Sequence, residues 1–161
     1  MKISLRARFL IRSLRLKPHP EGGFYREIYR SPSKVIAVQG TRDALTQIYF
    51  LLNRGEISRW HQVLSDESWI YLEGAPLALY RLDTNLKNLK KTKISPLKLK
   101  GTPTAMIPRK EWQAAESLGD YSLVTCLVAP GFLFKDFRFL DENDLSKNKN
   151  LTKNQLLKRF I

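Results

Sequence analysis

GEISRWHQVLSDESWIYLEG, residues 55–74, holds two short runs rich in β-forming residues between two glycines. Residues 57–64 and 68–72 read as strands separated by a polar turn. Gly55, His61, Glu67 and Gly74 fall in the spacing G-x5-H-x5-E-x6-G. A period of two places Arg59, His61 and Val63 on one face of the first strand, and Glu67, Trp69 and Tyr71 on one face of the second. If the strands form a hairpin, an imidazole and a carboxylate share a face. Such a pair serves in a metal site, or as a base with its orienting acid.

The same rhythm extends outward. Runs at 23–29, 35–38, 45–52, 77–82, 105–107, 112–115, 121–129 and 134–140 are short and β-like. Turn residues separate them at Asn53-Arg54-Gly55, Glu73-Gly74-Ala75-Pro76, Gly119-Asp120 and Pro130-Gly131. Short strands at this spacing predict an all-β sandwich or barrel. Residues 6–16 place Phe9, Leu10, Leu14 and Leu16 among basic groups, which predicts a short amphipathic helix stopped by Pro18 and Pro20. Leu145, Leu151, Leu156, Leu157 and Phe160 predict a terminal helix after Asn143 or Thr152.

The chain has 161 residues, a length suited to one domain spanning 1–161, and 43% hydrophobic residues, enough for a packed core. Cys126 is the one cysteine, which excludes an intramolecular disulfide and a multi-cysteine zinc site. No apolar run reaches the roughly 18 residues of a membrane span, and the start lacks the apolar stretch of a secretory signal. The expectation is a soluble, cytoplasmic protein. The net charge of +13 concentrates in residues 1–17, 87–110 and 147–161, which together contain no acid. The remainder holds nine basic and fifteen acidic residues, a balance of −6. Such runs read as solvated tails and loops, so weak contact with polyanions is expected, without specific nucleic-acid binding.

The spacing around His61 resembles the first motif of the cupin superfamily, G-x5-H-x-H-x3-E-x6-G, with Val63 at the second histidine. Pro108 to Gln113 matches the frame of the second motif, P-x-G-x2-H, with Lys110 at the glycine and Gln113 at the histidine. LKPHPEGGFYREIYRS (16–31), IYFLL (48–52), WHQVLSDESW (60–69), WQAA (112–115) and VAPGF (128–132) are similar to a cupin family of unknown function often labelled type 5. The likeness covers about 16–140, leaving 1–15 and 141–161 as terminal extensions. Ile70, Leu133 and Lys110 depart from the family pattern, and Lys110 implies an altered turn.

The resemblance implies an all-β cupin double-stranded β-helix, or jelly roll, with short terminal helices. It also implies a pocket in the barrel mouth and a common dimeric state, but no known reaction. The expected role is binding a small polar or anionic molecule, with His61 and Glu67 as candidate catalytic groups. Arg26, Arg59, Trp69, Tyr71 and Gln113 are the candidate ligand-binding residues. Typical cupin metal sites use three imidazoles and one carboxylate. Here only His61, Glu67 and Gln113 stand at such positions, so no cofactor is expected and weak transition-metal binding stays open. A looser likeness to sugar-nucleotide 3,5-epimerases, metal-free jelly rolls, offers an alternative. There His61 is the base, Glu67 its orienter, and Tyr71 or Tyr25 the acid. A metal-dependent cupin enzyme and a basic interaction module are further alternatives. His19, between two prolines, reads as a backbone or capping residue, Cys126 as an inert core thiol, and Phe132 and Phe134 as closing one end of the barrel.

Overall fold

The computed structural model describes residues 3–99, 101–146 and 155–161. Two antiparallel sheets face each other as a jelly roll. The larger contains β1 (Lys17–Pro18), β2 (Phe24–Arg30), β5 (Thr46–Asn53), β12 (Tyr121–Ala129), β7 (Asp66–Gly74) and β10 (Thr104–Ile107), in the order β1-β2-β5-β12-β7-β10. The smaller contains β13 (Phe137–Phe139), β6 (Ile57–Val63), β11 (Trp112–Ser117), β8 (Leu77–Leu82) and β9 (Leu89–Ile94), in the order β13-β6-β11-β8-β9. A separate hairpin joins β3 (Lys34–Ala37) to β4 (Gly40–Asp43).

β6 and β7 therefore lie in opposite sheets, and the hairpin expected across residues 57–72 is not formed. The polar turn Leu64-Ser65 carries the chain from one sheet to the other. His61 and Glu67 consequently meet across the barrel rather than along one sheet.

Apolar side chains fill three layers. Phe50, Trp69, Leu79, Val124 and Cys126 belong to the cluster between the sheets. Trp60, Tyr80, Trp112, Leu157 and Phe160 pack on the outer face of the smaller sheet. Leu10, Leu51 and Leu123 pack on the outer face of the larger one, beneath helix α1 (Leu5–Ser13). Strands covered on both faces read as apolar runs rather than alternating ones, as β8 does.

The described terminal segments thus pack on the barrel. α1 starts as expected, its Ser4 side chain capping the backbone N–H of Ala7. Helical segments α2 (Glu142–Ser146) and α3 (Gln155–Arg159) lie in the region expected to be helical; the stretch 147–154, with Leu151, lies outside the described residues. Phe160 is fully buried, and its carbonyl accepts the backbone N–H of Trp60 at 2.8 Å. The lysine-rich segment, expected as a loop, contains β9. Its exposed Lys90, Lys91 and Lys93 mark a sheet edge, where charge discourages pairing with another chain. Residues 134–140 form a 3-10 turn over Phe134–Asp136 followed by β13. Lys110 keeps the left-handed backbone that suits glycine (φ 64°), so the turn expected to be altered is retained at a steric cost.

Candidate functional site

A cavity of about 370 Å³ opens at one end of the barrel. Its inner end is built by the turn between β1 and β2. Gly22 and Gly23 there have φ of 113° and 69°. A Cβ at Gly22 would stand 2.1 Å from the Ile57 carbonyl oxygen, so only glycine lets this turn press against β6. The Arg59 N–H donates to the Glu21 carbonyl at 2.9 Å, fixing the turn and sending the Glu21 side chain inward.

A β-bulge completes the arrangement. On β6, Gln113 pairs with His61 and Ala115 with Ser58, leaving Arg59 and Trp60 opposite Ala114 alone. The bulge reverses the alternation, so Ser58 and His61 both reach the cavity side. Ser58 Oγ donates to Glu21 Oε1 at 2.7 Å, and Glu21 Oε2 lies 3.3 Å from His61 Nε2 and 3.4 Å from His19 Nδ1. His61 Nδ1 lies 2.8 Å from the Arg59 carbonyl oxygen; that nitrogen therefore carries the proton, and a neutral ring leaves Nε2 bare. His19 Nδ1 accepts the Glu21 backbone N–H at 3.3 Å.

Across the barrel, Gln113 Nε2 donates to Glu67 Oε2 at 2.6 Å, and Gln113 Oε1 accepts the Trp69 indole N–H at 2.8 Å. Burial pushes Glu21 up to about 8, with the Ser58 hydrogen bond opposing it. Burial likewise raises Glu67 to about 7, against the nearby His61. Burial depresses His61, and depresses His19 to about 3. At neutral pH Glu21 and both imidazoles consequently favour their neutral forms, while Glu67 titrates close to pH 7.

The outer end differs. Lys17 and Arg26 stand at the rim, and among the described residues no acidic side chain pairs with either. Arg26 donates one N–H to the Leu14 carbonyl at 2.9 Å and retains the rest of its fork. Arg30, also at the rim, is committed to Glu27 and Asp43. Between rim and base the walls are aromatic. Tyr25, Trp69, Phe132, Phe134 and Phe137 line the cavity, and the His61 ring stacks on Phe137 with centroids 5.1 Å apart.

The structure thus brings together His61, Glu67, Trp69 and Arg26 from the expected set. Arg59 turns away: its guanidinium covers the Phe139 ring at 4.2 Å and donates to the Ile161 carbonyl. Tyr71 does not line this cavity, and its hydroxyl donates to the Gly74 carbonyl at 2.7 Å. Gln113 is fully buried behind Glu67 and holds it rather than facing the cavity. Tyr25 remains at the wall, edge-on to His19 at 4.4 Å. Phe132 and Phe134, expected to close one end of the barrel, line the cavity, their rings packed edge to face at 5.0 Å. Sequence reasoning missed the roles of His19 and Glu21. His19 caps the turn as expected, but it also faces the cavity. An acid and an imidazole flanking Pro20 before two glycines were the available signal.

A cupin-type metal site is not reproduced by these side chains. Val63 offers no donor, and the Gln113 oxygen is engaged by Trp69. Among the described residues, no group of three or more His, Cys, Asp or Glu side chains is placed to hold a metal ion. No described helix is long and apolar enough to cross a membrane.

The profile of a family described as "Cupin superfamily (DUF985)" matches residues 8–140. A hypothetical protein from Leishmania major is 29% identical, with a TM-score of 0.87 over 96% of this chain and 97% of that one. A structural-genomics protein from Shewanella oneidensis is 30% identical, with a TM-score of 0.84 over 99% of this chain and 98% of that one. A cupin 2 conserved barrel domain protein from Rhodopseudomonas palustris, 14% identical with a TM-score of 0.58 over 90% of this chain and 84% of that one, shares the fold alone. No curated protein matches the sequence.

Proposed function

This chain belongs to the Cupin_5 family of the cupin superfamily, and from that premise we propose that it binds a small molecule carrying an anionic group in the barrel-mouth cavity. The observation that supports this most is the division of the cavity. Lys17 and Arg26, which no acidic side chain among the described residues pairs with, stand at the rim, while neutral acid and imidazole groups lie at the base. A ligand's carboxylate or phosphate meets the Arg26 fork, its apolar body lies between Tyr25, Trp69 and Phe134, and its polar end reaches Glu21, His61 and Glu67. The homodimer belongs to the same proposal, and light scattering in solution checks it.

Benzoate provides the test, followed by chemical-shift changes of the tryptophan and histidine side chains. Benzoate is expected to shift Trp69 and His61 signals, and Arg26→Met to weaken its binding about tenfold, the loss of one charge-assisted hydrogen bond. Benzyl alcohol, uncharged and of similar shape, is expected to bind more weakly. Equal binding of the two, or no shift of either residue with benzoate, overturns the proposal.

A further inference from the structure

Three lone-pair-bearing atoms converge at the base of the cavity. Glu21 Oε2 lies 3.3 Å from His61 Nε2 and 3.4 Å from His19 Nδ1. His61 Nε2 carries a lone pair because the ring proton sits on Nδ1, which donates a hydrogen bond to the Arg59 carbonyl. The His19 Nδ1 lone pair accepts the Glu21 backbone N–H. Without a proton on one of them these atoms would only repel. Ser58 donates to the other carboxyl oxygen, and burial raises Glu21 while it depresses His61, so the shared proton belongs on Oε2 rather than on Nε2, directed at His61.

We propose that Glu21 and His61 are the acid–base pair of a proton-transfer enzyme that acts on small keto acids whose carboxylate and carbonyl stand at opposite ends of an apolar body. The inference rests on the anion-binding reading above and adds a reaction to it. Two faces of one ligand meet two groups. A ligand whose carboxylate sits at Arg26 and whose apolar body lies between the aromatic walls brings the carbonyl at its far end, with the neighbouring C–H, to the base of the cavity. His61 Nε2 takes the proton from the carbon, and the C–H electron pair forms the new C=C bond. The carbonyl π pair moves onto oxygen, which receives the Glu21 Oε2 proton. The product is the enol; His61 then returns its proton to Glu21 across their contact. Nothing is oxidised or reduced, and no further reactant is needed.

The surroundings suit this chemistry. Glu67 and Cys126 face the pair from the larger sheet, Lys17 and Arg26 stand at the rim, and His19 closes the side toward the turn. A contact of 3.3 Å is long for a proton-sharing pair, which leaves room for the ligand's atoms to intervene. A carboxyl that keeps its proton through neutral pH, as burial makes Glu21 do, can act as an acid there.

4-Acetylbenzoate in D2O is the probe, with loss of its methyl protons followed by NMR beside benzoate binding. The wild-type protein is expected to exchange them faster than buffer. Glu21→Gln, which keeps a partner for Ser58, is expected to slow the protein-dependent rate about 100-fold or more, as is His61→Asn, with benzoate still bound. Nitrogen NMR at neutral pH is expected to find His61 neutral and protonated at Nδ1, with a signal that moves in Glu21→Gln. Exchange no faster than buffer while benzoate binds overturns the inference and leaves the binding reading intact. Wild-type exchange in Glu21→Gln, or His61 protonated at Nε2, overturns the proton assignment. Failure of benzoate to bind overturns both readings.

Discussion

Gln113 and Glu67, on facing sheets, are joined by a hydrogen bond of 2.6 Å in the barrel interior, and the same amide receives the Trp69 indole N–H. One side chain thus satisfies a buried carboxyl and a buried ring nitrogen. Replacing Gln113 with Leu keeps much of the volume but strands both partners away from water. The expected loss is on the order of 3 kcal/mol, since each stranded buried group costs about 1–3 kcal/mol. Urea unfolding measures it, and a loss below about 1 kcal/mol would mean the two partners find other bonds.

The cavity carboxyls give stability an unusual pH dependence. Glu21 and Glu67 are raised to about 8 and about 7 from 4.5, so between those values the folded protein holds protons that the unfolded chain releases. Their contribution is full below pH 4.5 and is lost as pH rises through 7 and 8. His19, depressed to about 3 from 6.5, acts oppositely: its neutral folded form costs stability as pH falls below 6.5. Above about pH 7 the carboxyls dominate over the depressed His19 and His61, and stability falls with rising pH. The slope is up to about 1.4 kcal/mol per unit for each group still protonated in the fold. Glu21→Gln and Glu67→Gln should each flatten this alkaline arm in urea titrations; an unchanged arm in both contradicts the assignment.

Phe160 anchors the C-terminal segment against Trp60 and Tyr80, with ring centroids 6.2 and 5.1 Å away. Phe160→Ala should destabilise the protein by about 3–5 kcal/mol, the range for large cavities in a core. A change within experimental error would return residues 155–161 to the status of a solvated tail. The accompanying signal is a rise in Trp60 solvent exposure, read by fluorescence quenching.

Cys126 is 1% exposed, and burial together with Glu67 and Glu21 pushes its thiol well above the ordinary range. A thiolate-requiring reagent should react only when the protein unfolds, so its rate should track the unfolded fraction. Fast labelling in native buffer would show that the cavity admits the reagent to Cys126.

The amino-acid sequence by itself determined the strand content, because turn residues punctuate short apolar runs at fixed intervals. The observed bounds of β8 and β12 coincide with the expected 77–82 and 121–129. It also singled out His61 and Glu67 as residues of one site. Their relation was decided only in three dimensions. The chain crosses between sheets at Leu64-Ser65, and the bulge opposite Ala114 reverses the alternation that placed Arg59 beside His61. A period-two pattern cannot register one extra residue, so Arg59 was expected inward and Ser58 outward. Glu21 was hidden for a different reason: its partner His61 lies forty residues away in the sequence, and proximity came from the double-glycine turn packing on β6. Local sequence sets the period and the turns. Which polar groups lose water together, and hence which hold protons at neutral pH, follows from how the sheets close on one another.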